Sequence, residues 1–186
     1  MLLLFATVVM IAVGSMADRF PENARRRAAE RDLDRTVGTI EGYLAQRDYA
    51  ALASYVEYMD FDMYGKDELY RIRGLVYLAR DYSYLLERIE NIYLVGDRES
   101  WRKWSMDNDL RSVCGAIASF LDNYDRLDRE ELTEQELGWL EQMRADFGGM
   151  IAFYLGIDEA SLTDFLAMSE ARRAVYLEEV LFGDQN

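Results

Sequence analysis

Carboxylates, tyrosines and a single thiol are the side chains of this chain that could do chemistry, and their spacing defeats most familiar uses. The stretch Asp60-Phe61-Asp62-Met63-Tyr64-Gly65 begins as a calcium loop does, with acids at the first and third places and glycine at the sixth. Tyr64 then stands at a ligand place, Asp67 where an apolar residue belongs, and Arg71 where a bidentate glutamate should close the loop. The stretch therefore reads as a polar link between helices. Acidic pairs at Asp107 and Asp109, Glu130 and Glu131, and Glu178 and Glu179 have the residue types for glycoside hydrolysis, but in so acidic a chain they read as solvated surface.

Cys114 lies between Val113 and Ile117 on an apolar face, which favours a buried inert thiol over a nucleophile. Histidine is absent, and with it the usual general base near neutral pH and the commonest zinc ligand. No phosphate-binding glycine loop or nucleophile elbow occurs. Gly148-Gly149 sits within a strongly periodic stretch, where close helix packing or a kink is expected. These readings assign no catalytic, cofactor-binding or metal-binding residue and imply no cofactor.

The elements that would position any site are helical throughout, giving an all-α expectation: an N-terminal transmembrane-like helix followed by a helical bundle or a repeat-like set of helical hairpins. Residues 1–17 carry no charge, and as a helix they would reach roughly 25 Å against a hydrocarbon core of about 30 Å. A retained anchor, a cleaved signal peptide and a buried core helix are the competing readings. Ser15-Met16-Ala17 offers a small-x-small cleavage pattern. No Lys or Arg precedes the run, however, whereas Arg19, Arg25, Arg26, Arg27 and Arg31 follow it, an order that favours an anchor in the bilayer with the bulk of the chain in the cytoplasm.

Four regions result: 1–17, the anchor or signal-like segment; 18–35, a basic juxtamembrane stalk; 36–182, an acidic helical domain; and 183–186, a tail. The net charge is −14, and residues 18–35 hold six Arg against five acids, so −15 falls on the chain from Thr36 onward. Such a charge disfavours nucleic acid as a partner.

Pro21 marks the boundary at which a helix begins, expected to run from Glu22 to about Gln46. Arg47-Asp48-Tyr49 recurs as Arg80-Asp81-Tyr82, and at the same offset Leu52 meets Leu85, Val56 meets Ile89 and Met59 meets Ile92. Residues 37–94 thus resemble a degenerate pair of tetratricopeptide-type units, whose period is about 34. The resemblance implies two helix–turn–helix units with a turn at each Arg-Asp-Tyr, and a concave surface for a protein or peptide. Two antiparallel helix pairs of an ordinary bundle would give the same pattern.

Leu110, Val113, Cys114, Ile117, Leu121 and Tyr124 form one core-facing stripe; Leu137, Leu140, Met143, Phe147, Met150, Ile151 and Tyr154 form another. Thr133 with Glu136 predicts a capping box before the second. Ser169 is expected to cap a last helix with Ala174, Leu177, Val180 and Leu181 inward. The link Val95 to Asn108 carries Trp101 and Trp104, suited either to a membrane interface or to a lid over the bundle.

Ten of the thirteen tyrosines fall between Tyr43 and Tyr93, as a binding groove or as rings packed at helix boundaries. The functional expectation is a single-pass, membrane-anchored protein-interaction module without catalysis, held to the lipid bilayer by residues 1–17. The alternatives are an exported envelope factor or enzyme cleaved after Ala17, and a structural accessory subunit of a larger membrane complex.

Overall fold

The computed structural model describes residues 33–59, 67–95 and 106–183. Among them the chain forms seven α-helices and no strand. They are α1 (Leu33–Gln46), α2 (Tyr49–Val56), α3 (Asp67–Val95), α4 (Met106–Arg126), α5 (Glu134–Leu155), α6 (Glu159–Ala167) and α7 (Glu170–Phe182). No helix among the described residues is long and apolar enough to cross a membrane. Residues 1–17, on which the anchor reading rests, lie outside the described residues, as do Asp60 to Lys66 and the pair Trp101 and Trp104.

α3 is the central element. Its 29 residues extend about 43 Å at the usual helical rise, and it packs most extensively on α4 and then on α2, α5 and α1. Leu69, Ile72, Leu75, Val76, Leu78 and Ala79 are all fully buried along its first half, and Leu85, Ile89 and Ile92 continue the stripe with spacings of three and four. α7 closes the other side against α4 and α5.

The turn expected at Arg80-Asp81-Tyr82 is not there: these residues lie inside α3. The reason is local. Arg47 has the left-handed φ of 59° and ends α1, its N–H donating to Leu44 O at 3.1 Å and the Asp48 N–H to Tyr43 O at 3.0 Å, the two bonds of a Schellman closure. The Asp48 carboxylate then caps α2 by accepting from the Ala51 N–H. The Asp81 carboxylate instead accepts from Asn123 and Ser119 of α4 and caps no helix start, and α3 runs on through the second triplet.

The two downstream stripes form as read, on α4 and α5. Phe120, outside the expected stripe, is fully buried and stacks on Phe147 with ring centroids 4.1 Å apart and 2° between planes. The capping box is present: Thr133 Oγ1 accepts from the Glu136 N–H, and the Glu136 carboxylate accepts from the Thr133 N–H at 2.8 Å. That buried carboxylate also meets Arg71 of α3 at 2.6 Å, which ties the start of α5 to the central helix. Ser169 caps α7 and Leu177 is buried, whereas Val180 is 36% exposed and so points outward, contrary to expectation.

Leu127, in the link between α4 and α5, leans on Gly74 of α3, where a Cβ would stand only 2.7 Å from its Cδ1. A Cβ at Gly148 would stand 3.8 Å from Glu159 Oε2 of α6, but Gly149 departs from the expected close packing. α5 passes through both without interruption, and a Cβ at Gly149 would meet no atom within 4 Å.

Candidate functional site

The open space beside Gly149 belongs to a cleft of about 1400 Å³ bounded by α2, α3 and α5, with Asn123 of α4 at one side. Small residues make it. Ala50 and Ala53 on α2 and Ala145 and Gly149 on α5 all line it, and their short side chains leave space between the helices. Ala145 and Gly149 are four residues apart and therefore share one face of α5.

Both Arg-Asp-Tyr triplets line this cleft. The sequence recurrence thus marks two segments that meet in space, with the Tyr49 and Tyr82 rings edge-on at 4.9 Å between centroids. Asp146 of α5 fastens the first triplet. Its carboxylate pairs with both Arg47 Nε, at 2.9 Å, and Arg47 Nη2, and accepts from the Tyr49 hydroxyl at 2.7 Å and from Gln142 Nε2 at 3.0 Å. The carboxylate side chain is 9% exposed while the guanidinium is 56% exposed, so the acid is inside and the cation is its outer lid.

Protonation follows from these contacts. The hydrogen bond to Asp146, reinforced by its charge, pushes the Arg47 guanidinium above its ordinary value. Burial first, and then donation to Asp146, pushes the Tyr49 phenol up, so it remains a proton-bearing donor. Burial likewise raises the Tyr82 phenol.

Asp81, in the second triplet, accepts from Asn123 Nδ2 at 2.6 Å and from Ser119 Oγ at 3.3 Å. Burial outweighs those donors and raises its carboxyl above the ordinary carboxylate value. Asp146 and Asp81 are therefore held by donors from neighbouring segments, and the cleft turns aromatic surface and exposed acids toward solvent.

At the mouth, Tyr93 donates to Tyr154 O at 2.7 Å, with the two rings 5.6 Å apart, and Phe153 lies edge-on to Tyr154 at 4.8 Å. Phe153 is 81% exposed. Glu57, Glu87 and Glu90 are exposed along the α2 and α3 walls.

The residues tested in sequence for chemistry lie elsewhere. Glu130 and Glu131 are exposed in the link before α5, and Glu178 and Glu179 lie on α7. Asp107 and Asp109 fall in the first turn of α4. Cys114 is a buried thiol in the core. Among the described residues no group of three or more Cys, Asp or Glu is placed to hold a metal ion.

Of the tyrosines read as groove or packing, Tyr49, Tyr77, Tyr82 and Tyr84 line the cleft, while Tyr43 and Tyr55 pack against each other at 5.8 Å. Asp146, Gly149 and Phe153 carried no signal in the sequence beyond the four-residue spacing of Ala145 and Gly149, because the partners of Asp146, Arg47 and Tyr49, lie far away along the chain and the cleft beside Gly149 and Phe153 is formed by helices distant in sequence. Comparison with family models, curated proteins and solved structures finds no match to the chain.

Proposed function

We propose that this chain is a membrane-anchored helical interaction module that engages a partner protein through the cleft between α2, α3 and α5. The observation that carries the reading is Phe153, a large apolar ring left 81% exposed at the mouth of a tyrosine-lined cleft. Aromatic residues beside a concave surface are the usual anchors of protein recognition. The anchor reading is supported by the uncharged run 1–17 and the arginines that follow it, an order that favours a cytoplasmic helical domain.

The test is a photo-cross-linking amino acid installed at Phe153 in the full-length chain in cells, with the exposed Asp164 of α6 as the comparison position. A light-dependent heavier species from position 153 and not from 164 is expected. Its absence at 153, or equal yield at both positions, removes the cleft as a docking surface. In spheroplasts, a C-terminal tag is expected to resist external protease on a chain whose mass includes Met1. Cleavage after Ala17 or digestion from outside would remove the anchored, cytoplasmic placement.

A further inference from the structure

The chemistry of the cleft walls says what kind of segment fits between them. Six carboxylates line it against two guanidiniums, and Arg47 is committed to Asp146. Asp146 and Asp81 are held by internal donors, and Asp48 caps α2, so Glu57, Glu87 and Glu90 are the acids that face outward. Glu87 and Glu90 are three residues apart on α3 and share one face.

Rings and exposed carboxylates together form a site for cations, since a tyrosine face attracts a guanidinium or ammonium that a nearby acid then neutralises. The molecule already uses this contact: Arg88 lies over the Tyr84 ring at 4.7 Å and Arg73 over Tyr70 at 3.5 Å. An acidic segment would be repelled by the same walls. The cleft's volume of about 1400 Å³, with Ala50, Ala53, Ala145 and Gly149 in its lining, is large enough for a short peptide segment.

We propose that the cleft receives an arginine- or lysine-bearing segment of the partner protein, with its cations between the tyrosine rings and Glu87 and Glu90. The proposal rests on the cleft being the docking surface. Glu87 and Glu90 supply charge, Phe153 meets the apolar part of the segment, and Gly149 keeps the floor open.

The test measures binding of a fluorescent arginine–alanine peptide, and of its glutamate–alanine counterpart, to the full-length chain in detergent micelles. The basic peptide is expected to bind with salt-sensitive affinity and the acidic one not at all. E87Q/E90Q should weaken the basic peptide roughly tenfold, the sum of two partly screened charges. Gly149→Trp, which places an indole in the cleft from a position where a Cβ meets nothing, should abolish binding while its circular dichroism matches the parent's.

The proposal is overturned if E130Q/E131Q, away from the cleft, weakens binding as much, or if Gly149→Trp leaves it unchanged. It is equally overturned if the cross-linker at position 153 captures an acidic or uncharged segment, in which case the docking surface stands and only its ligand chemistry falls. Capture of residues 18–32 of the chain itself would replace the foreign partner with the protein's own arginines.

Discussion

Arg47 holds a backbone conformation that favours glycine, and it does so while its guanidinium covers Asp146. The left-handed region costs a residue with a Cβ roughly 1–2 kcal/mol relative to glycine. Arg47→Ala keeps that cost and loses the ion pair, whereas Arg47→Gly loses the pair but relieves the backbone. Arg47→Gly is therefore expected to unfold in urea at a higher midpoint than Arg47→Ala, and the reverse order would mean that the Schellman closure is not what ends α1. Tyr49→Phe removes one buried donor to Asp146 and should cost about 1 kcal/mol.

Asp81 makes a pH-dependent prediction at the same scale. Its folded carboxyl titrates above the ordinary 3.8 because burial penalises the charged form. The folded chain therefore holds this proton more tightly than the unfolded chain, and stability falls as pH rises from 3.8 through the raised folded value. Asp81→Asn cannot ionise and still accepts from Asn123. It should be more stable than the parent at neutral pH, with the advantage vanishing below pH 3.8. Urea midpoints at the two pH values measure this; an advantage that persists in acid would assign the effect to packing.

At the scale of helices, the glycines of α3 and α5 divide by what lies above them. Gly149 is exposed in mid-helix with open space beyond it, so Gly149→Ala should stabilise by about 0.8–1 kcal/mol through helix propensity alone. Gly74 carries Leu127 at a distance no Cβ would tolerate without a shift, and Gly74→Ala should fall short of the Gly149→Ala gain by about 1 kcal/mol or more. Thermal unfolding of the two variants side by side separates them, and equal gains would mean that Leu127 moves aside freely.

The stripes of α4 and α5, the capping box and the Ser169 cap were legible because each depends on residues within a few positions of one another. The end of α1 at Gln46 was legible for the same reason. The continuity of α3 was not, since an Arg-Asp-Tyr triplet forms a turn at residue 47 and a helix interior at residue 80, and what differs is the left-handed closure at Arg47. Gly149 looked like a packing glycine because local sequence does not reveal whether a neighbouring helix fills the space beside it.

Across the whole molecule, the all-helical architecture followed from periodicity, while the site did not. The cleft joins residues from Arg47, just past α1, to α5, and its key pair, Arg47 with Asp146, is separated by 99 positions. The Arg-Asp-Tyr recurrence and the clustering of tyrosines pointed toward it, and the clustering could not say which rings would face the cleft and which would pack at helix boundaries. Salt should act unevenly on this molecule: the exposed Arg126–Asp122 pair contributes little in physiological buffer, whereas the Glu136 carboxylate, 2% exposed beside Arg71, is shielded from screening ions. Arg71→Met therefore strands a buried charge and is expected to lower the thermal midpoint far more than Arg126→Met.

α3 touches α1, α2, α4 and α5 along one unbroken rod, so no neighbouring helix can leave without uncovering part of it. Amide protons around Leu75 to Ala79 should then exchange with deuterium only when the entire fold opens, while those of the short α6 exchange through local fraying. If these amides share a single opening energy equal to that of global unfolding, the cleft's two long walls belong to one cooperative unit.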